Sequence, residues 1–127
     1  WEHTCFEAFI GVRGETAYRE FNFSPSGQWA SYAFADYRQP GADLAEIEPP
    51  RITTRRFAGR LELDAILPAR ALPPNAGRAP WEIGLCAVVE SADTVDGSHS
   101  YWALHHPAPH PDFHHRAAFT LKLHDGF

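Results

Sequence analysis

The chain has 127 residues, 44% of them apolar and 13% aromatic, with 11 prolines and a formal charge of −5. This length fits one domain, 1–127, with a single core, and the aromatic and proline content favours strands and turns over helices. The acidic balance and the lack of a large basic cluster argue against nucleic acid as a partner, and no run approaches the roughly 18 apolar residues of a membrane-spanning segment.

Residue 1 is Trp and methionine is absent. The chain is therefore expected to be a fragment or a processed product, with any signal segment upstream. A cytoplasmic location is the expectation, with secretion left open. The oligomeric state is not legible. Cys5 and Cys86 fall inside predicted strands without a CxxC partner, which reads as two free buried thiols.

Cys5–Val12 (CFEAFIGV) alternates as a strand, Arg13-Gly14-Glu15-Thr16 as a turn, and Ala17–Ser24 (AYREFNFS) as the returning strand. Closing that turn pairs Phe6 with Phe23 and Ala8 with Phe21 on an apolar face. It pairs Cys5 with Ser24, Glu7 with Asn22 and Phe9 with Glu20 on a mixed face. Pro25-Ser26-Gly27 is the next turn, and Gln28–Ala35 the third strand. A four-residue loop there places Ala30, Tyr32 and Phe34 on the apolar face. Trp29 and Ser31 then join Glu7, Asn22 and Ser24.

Residues 36–50 form a Pro/Gly/acid-rich connection with one short helical turn expected at Asp43–Ile47. Arg51–Phe57 and Gly59–Leu67 read as two strands or one bent strand, the second with Leu61, Leu63, Ala65 and Leu67 inward. Pro68–Pro80 is a loop. Trp81–Glu90 is a strand with Trp81, Ile83, Leu85, Ala87 and Val89 on one face. Asp96-Gly97 is a hairpin signal before a return strand at Ser100–His105. The last strand, Arg116–His124, turns Ala117, Phe119, Leu121 and Leu123 inward. Short strands punctuated by turns, with no long amphipathic helix, give an all-β fold: an antiparallel β-sandwich of seven or eight strands.

The stretch Tyr101–Arg116 (YWALHHPAPHPDFHHR) carries five of the eight histidines and three prolines. Imidazoles are metal ligands, but adjacent histidines on an extended chain face opposite ways. Only one each of His105/His106 and His114/His115 can then converge with His110 and Asp112. No HExxH or CxxC spacing is present, and no metal site is assigned. In the structural reading Asp112 accepts hydrogen bonds from loop N–H groups or from Arg116, Phe113 plugs the core, and the segment ties strands of opposite sheets together.

WEHTCFEAFIGV, YREFNFSPSGQWASY and YWALHHPAPHPDFHHR together resemble the bacterial DOMON-like domain family, and the first two more distantly resemble family 9 carbohydrate-binding modules. The resemblance implies an immunoglobulin-like or jelly-roll-like sandwich that binds haem or a sugar without catalysis. Haem-binding DOMON domains typically use a methionine axial ligand. This chain has none, so haem would rest on two histidines or on a residue outside the fragment.

The expected function is a non-catalytic ligand-binding module, most readily for carbohydrate or a cell-envelope sugar derivative. The alternatives are a haem-binding domain or a metal-binding histidine loop. Sugar sites stack a ring on an aromatic side chain and fix the hydroxyls with polar neighbours. The candidate set is Glu7, Asn22, Ser24 and Trp29, with Trp1 and His3 at the rim and His106, Asp112 and His114 at the edge. A glycosidase use of Glu7 and Glu20 is a minor alternative, since an inverting enzyme needs carboxyls roughly 6.5–9.5 Å apart. No catalytic residue and no cofactor is assigned.

Overall fold

The computed structural model describes residues 4–42, 47–91 and 98–124. The rim candidates Trp1 and His3, most of the expected helical turn at 43–47 and the Asp96-Gly97 signal lie outside the described residues.

The molecule is an antiparallel β-sandwich. Its strands are β1 (Cys5–Val12), β2 (Tyr18–Phe23), β3 (Trp29–Asp36), the two-residue β4 (Gln39–Pro40), β5 (Arg51–Phe57), β6 (Arg60–Ile66), β7 (Trp81–Glu90), β8 (His99–Ala103) and β9 (Leu121–Leu123). The large sheet runs β4-β3-β2-β1-β7-β8, with β9 also paired to β7, and β5-β6 form a separate hairpin. The two expected strands at 51–67 are thus distinct and paired, not one bent strand.

The first hairpin has the expected register, with Phe6 opposite Phe23, Glu7 opposite Asn22, Ala8 opposite Phe21 and Phe9 opposite Glu20. Gly14 takes φ +86° in its turn, where an L side chain is strained. The third strand corrects the expectation. Ser24 N–H donates to the Gln28 carbonyl (2.9 Å), so only Pro25-Ser26-Gly27 remain as loop. Gly27 at φ +92° closes it, as three-residue hairpin loops ask of glycine. A loop one residue shorter than expected moves every β3 side chain to the other face. Trp29 therefore lies opposite Phe23, and Ala30 opposite Asn22.

Strand parity defines two faces of the large sheet. The inner face, toward β5-β6, carries Ala8, Ile10, Val12, Phe21, Phe23 and Trp81, with Trp29, Ile52, Leu63 and Ala65 packed on them. The outer face carries Phe9, Tyr18 and Cys86, packed with Ala118 and Phe119.

The 104–120 segment covers this outer face. It joins β8 to β9, two strands that both pair with β7, so it links strands of one sheet and not of opposite sheets. Its C-terminal end also departs from expectation. Arg116–Ala118 form a short 3-10 turn, and the strand shrinks to Leu121–Leu123. Ala118 is buried in place of Ala117, while Leu121 is exposed. The reason is local: Phe119 and Ala118 drop onto the outer face above Gly84, where a Cβ would stand 3.0 Å from the Phe119 ring.

Candidate functional site

Two features stand out, a buried polar cluster under the 104–120 segment and an open cleft on the inner face.

The cluster begins with alternation on β1 and β2. Glu7 and Glu20 both project to the outer face, on opposite strands and one pair apart. Glu20 is 7% exposed. Their carboxyls hydrogen-bond to each other, which requires a proton on one of them. Burial, then the neighbouring Glu20 charge, raises Glu7 to about 7. Burial raises Glu20 as well, against the hydrogen bond it receives from Asn22. Asn22 Oδ1 is buried without a partner. The register makes the two carboxyls diagonal neighbours on one face of the sheet.

His114 caps the pair. The Tyr18 hydroxyl oxygen accepts the Arg38 backbone N–H at 3.0 Å. Its own proton is then free to go to His114 Nδ1, 2.8 Å away. That fixes the tautomer with hydrogen on Nε2, which faces Glu20 Oε1 at 3.4 Å. The ring packs edge-on against Phe9 (4.8 Å) and Phe34 (5.0 Å). Burial, then the Arg38 charge, lowers its pKa to about 4. At neutral pH the imidazole is neutral, with Nδ1 hydrogen-bonded to Tyr18 and Nε2 turned to Glu20.

Asp112 anchors the same segment through partners the sequence did not suggest. It accepts from the Tyr37 hydroxyl at 2.5 Å and from Arg38 Nη2 at 3.1 Å. Burial pushes its carboxyl up, but these hydrogen bonds and the Arg38 charge outweigh burial and hold it below the ordinary value. The expected partner, Arg116, goes elsewhere. Its guanidinium donates to the Val12 carbonyl (2.7 Å) and to Glu82 (3.2 Å). It lies where a Cβ on Gly11 would be, 2.6 Å away. Asp112→Ala is expected to lower unfolding stability by about 0.5–1.5 kcal/mol, because it removes two hydrogen bonds to a buried carboxylate whose donors, Tyr37 and Arg38, are half exposed and regain water; a shift of the urea midpoint at constant m-value measures it.

The candidate residues thus divide. Glu7, Asn22, Asp112 and His114 belong to one connected network, to which the structure adds Tyr18, Tyr37 and Arg38. Trp29 is on the opposite face, so the expected stacking platform beside Glu7 is not assembled. Ser24 closes the second turn, its Oγ 2.5 Å from Ser26 Oγ. His106 is exposed, with its ring beside Phe113. Two strand glycines were the available signal for the segment's close approach: isolated glycine in a strand marks a place where another part of the chain comes near, and Gly11 and Gly84 lie under Arg116 and Phe119.

Cys5 and Cys86 are buried free thiols. Burial, with Glu7 nearby, raises both, which makes them poor nucleophiles. Among the described residues no group of three or more His, Cys, Asp or Glu side chains is arranged to hold a metal ion.

The cleft lies between the inner face and β6. Its volume is about 780 Å³ and its walls are Phe6, Ala8, Ile10, Leu63, Ile83 and Leu85, among others. Leu85, at the β8 side, is 43% exposed. Trp102 continues this face: it lies opposite Ala87, is 63% exposed, and donates from Nε1 to Ser100 Oγ at 2.9 Å. None of the described histidines lines the cleft; His114 is committed to Tyr18 and Glu20, so the residues do not fit a haem held there by two imidazoles. No helix among the described residues is long and apolar enough to cross a membrane. Comparisons with family models, curated proteins and solved structures find no match for the chain.

Proposed function

We propose that this domain is a non-catalytic binding module, in keeping with the DOMON-like resemblance of its sequence, and that its ligand sits in the inner-face cleft. The observation that carries the reading is the cleft itself: an open space of about 780 Å³ with predominantly apolar walls. That size is within the roughly 300–1,000 Å³ of small-molecule sites. Among the described lining residues Asp64 is the ionisable side chain on β6, while Glu7 and Cys86 turn their side chains to the outer face. The cleft offers no cation to an anionic headgroup, so a fatty-acid carboxylate or a phosphate is disfavoured. A neutral apolar group fits.

The exposed Trp102 ring beside this cleft supports a sugar as the polar part of the ligand, since sugars stack on aromatic faces. The favoured class is therefore an amphipathic sugar derivative, with its apolar part in the cleft and its ring on Trp102. Binding occurs by apolar burial and stacking, with no bond made or broken.

The neutral probe N-phenyl-1-naphthylamine reports the cleft, and dodecyl maltoside competing with it reports the whole site. Leu85→Trp narrows the mouth at an exposed position and is expected to weaken both ligands at least tenfold. Trp102→Ala is expected to weaken dodecyl maltoside about fivefold, equivalent to about 1 kcal/mol, and to leave the probe unaffected. If the intact domain binds neither ligand at millimolar concentration, the reading fails. If Trp102→Ala leaves the maltoside affinity unchanged, the sugar part of it fails.

A further inference from the structure

The polar cluster on the outer face is separate from the cleft ligand and has its own logic. Three anchors hold the 104–120 segment down: Asp112 on Tyr37 and Arg38, His114 on Tyr18 and Glu20, and Arg116 on Val12 and Glu82. The middle anchor sits on two carboxyls in contact. We propose that one proton shared by Glu7 and Glu20 is the latch of this segment, and that its loss to solvent releases the segment from the sheet.

The argument starts from what surrounds the pair. From β1 it is faced by Cys5, from β7 by Cys86, and from β2 by Asn22 and Tyr18. The covering segment brings His114, with Asp112, His115 and Arg116 close in sequence. The nearest cation with an electrostatic effect on Glu20 among the described residues is Arg38, and that guanidinium is already paired with Asp112. Arg116 is paired with Glu82. Neither thiol is ionised, and His114 is neutral. With one proton present, the pair carries a single negative charge, shared through a hydrogen bond and contacted by Asn22 and His114. Without it, two adjacent carboxylates are held together with no unpaired cation beside them among the described residues, an arrangement that like-charge repulsion and desolvation both oppose. Asn22 Oδ1, directly across from Glu7, is a buried acceptor without a donor.

The sign of the pH effect follows. Glu7 is raised from the ordinary carboxyl value of about 4.3 to about 7. The closed state therefore binds more protons than the open state between these values, and its advantage is lost as pH rises through about 7. His114 acts oppositely and lower down. Lowered from about 6.5 to about 4, it favours closure fully above its ordinary value and withdraws that support as pH falls through about 4. Closure is thus limited on the alkaline side by the carboxyl pair and on the acid side by the imidazole.

Hydrogen exchange of the whole chain tests this at the Ala118 and Phe119 amides, which bond to the His115 and Arg116 carbonyls. After correction for intrinsic exchange, protection is expected to fall at least tenfold from pH 6 to pH 8.5. In Glu7→Gln, which keeps the hydrogen bond and removes the titration, protection is expected to stay level. A flat wild-type profile, or a Glu7→Gln profile that falls in parallel with wild type, overturns the proposal. The carboxyl ¹³C shift of Glu7 in the wild-type chain decides independently of any variant's folding. A midpoint near 7 supports the latch, and a single step in the ordinary range near 4.3 overturns it.

Discussion

Phe9→Ala is expected to lower the stability of the domain by about 3–5 kcal/mol, the largest effect of any substitution considered. Phe9 is fully buried at the centre of the outer face. Its ring lies 4.8 Å from His114, 5.8 Å from Phe119 and 6.3 Å from Tyr18. Alanine leaves a cavity that three rings and the carboxyl pair border, and closing it would drag the polar groups out of register. The loss is expected to exceed the average for a core phenylalanine by whatever the His114 contacts contribute. A Phe9→Leu variant, which refills most of the volume, should recover more than half of it. Chemical denaturation of the three proteins measures the series, and a loss below about 1 kcal/mol for Phe9→Ala would show that the outer face is not a packed core.

That face was only half legible in the sequence. The first hairpin was readable because its alternation and turn agreed, and with it came the pairing of Glu7 with Asn22 and Phe9 with Glu20. Trp81–Glu90 was readable for the same reason. The third strand was not, because its face depends on whether the turn holds three or four residues, and that is decided by Ser24 bonding to Gln28. Trp29 changed sides for this reason alone. The segment after Ala103 hid its role differently. Its anchors are contacts between residues far apart in the chain, Asp112 to Tyr37 and His114 to Tyr18, and no periodicity encodes them. The cleft was invisible too, since it is a space between β1, β7 and β6 and not a pattern within any one of them.

Gly11→Ala is the second large effect, expected to destabilise by about 1–3 kcal/mol. The added Cβ would stand 2.6–2.7 Å from the Arg116 guanidinium carbon and its terminal nitrogens. A long side chain usually swings away from such a clash. Arg116 is not free to do so without losing the Val12 carbonyl, Glu82 and its place over the Phe119 ring, 5.2 Å away. The double-mutant cycle separates this from intrinsic backbone effects. In an Arg116→Ala background Gly11→Ala should cost little, because nothing then occupies the space above the strand. Additive losses would place the origin of the effect elsewhere.

The position of β1 has a kinetic consequence. One edge of β1 pairs with β2, its neighbour along the chain, while the other pairs with β7, from Cys5 opposite Val88 to Val12 opposite Trp81. The β1-β2-β3 meander can assemble from local contacts, but its open edge waits for a strand about 70 residues downstream, an interval of roughly 4–14 s at a synthesis rate of about 5–20 residues per second. During that time the apolar run Phe9–Val12 presents unpaired backbone, the condition under which strands join to other chains. The arrival of β7 is therefore the step that removes an aggregation hazard, and it makes the long-range β1–β7 closure the slow event in folding.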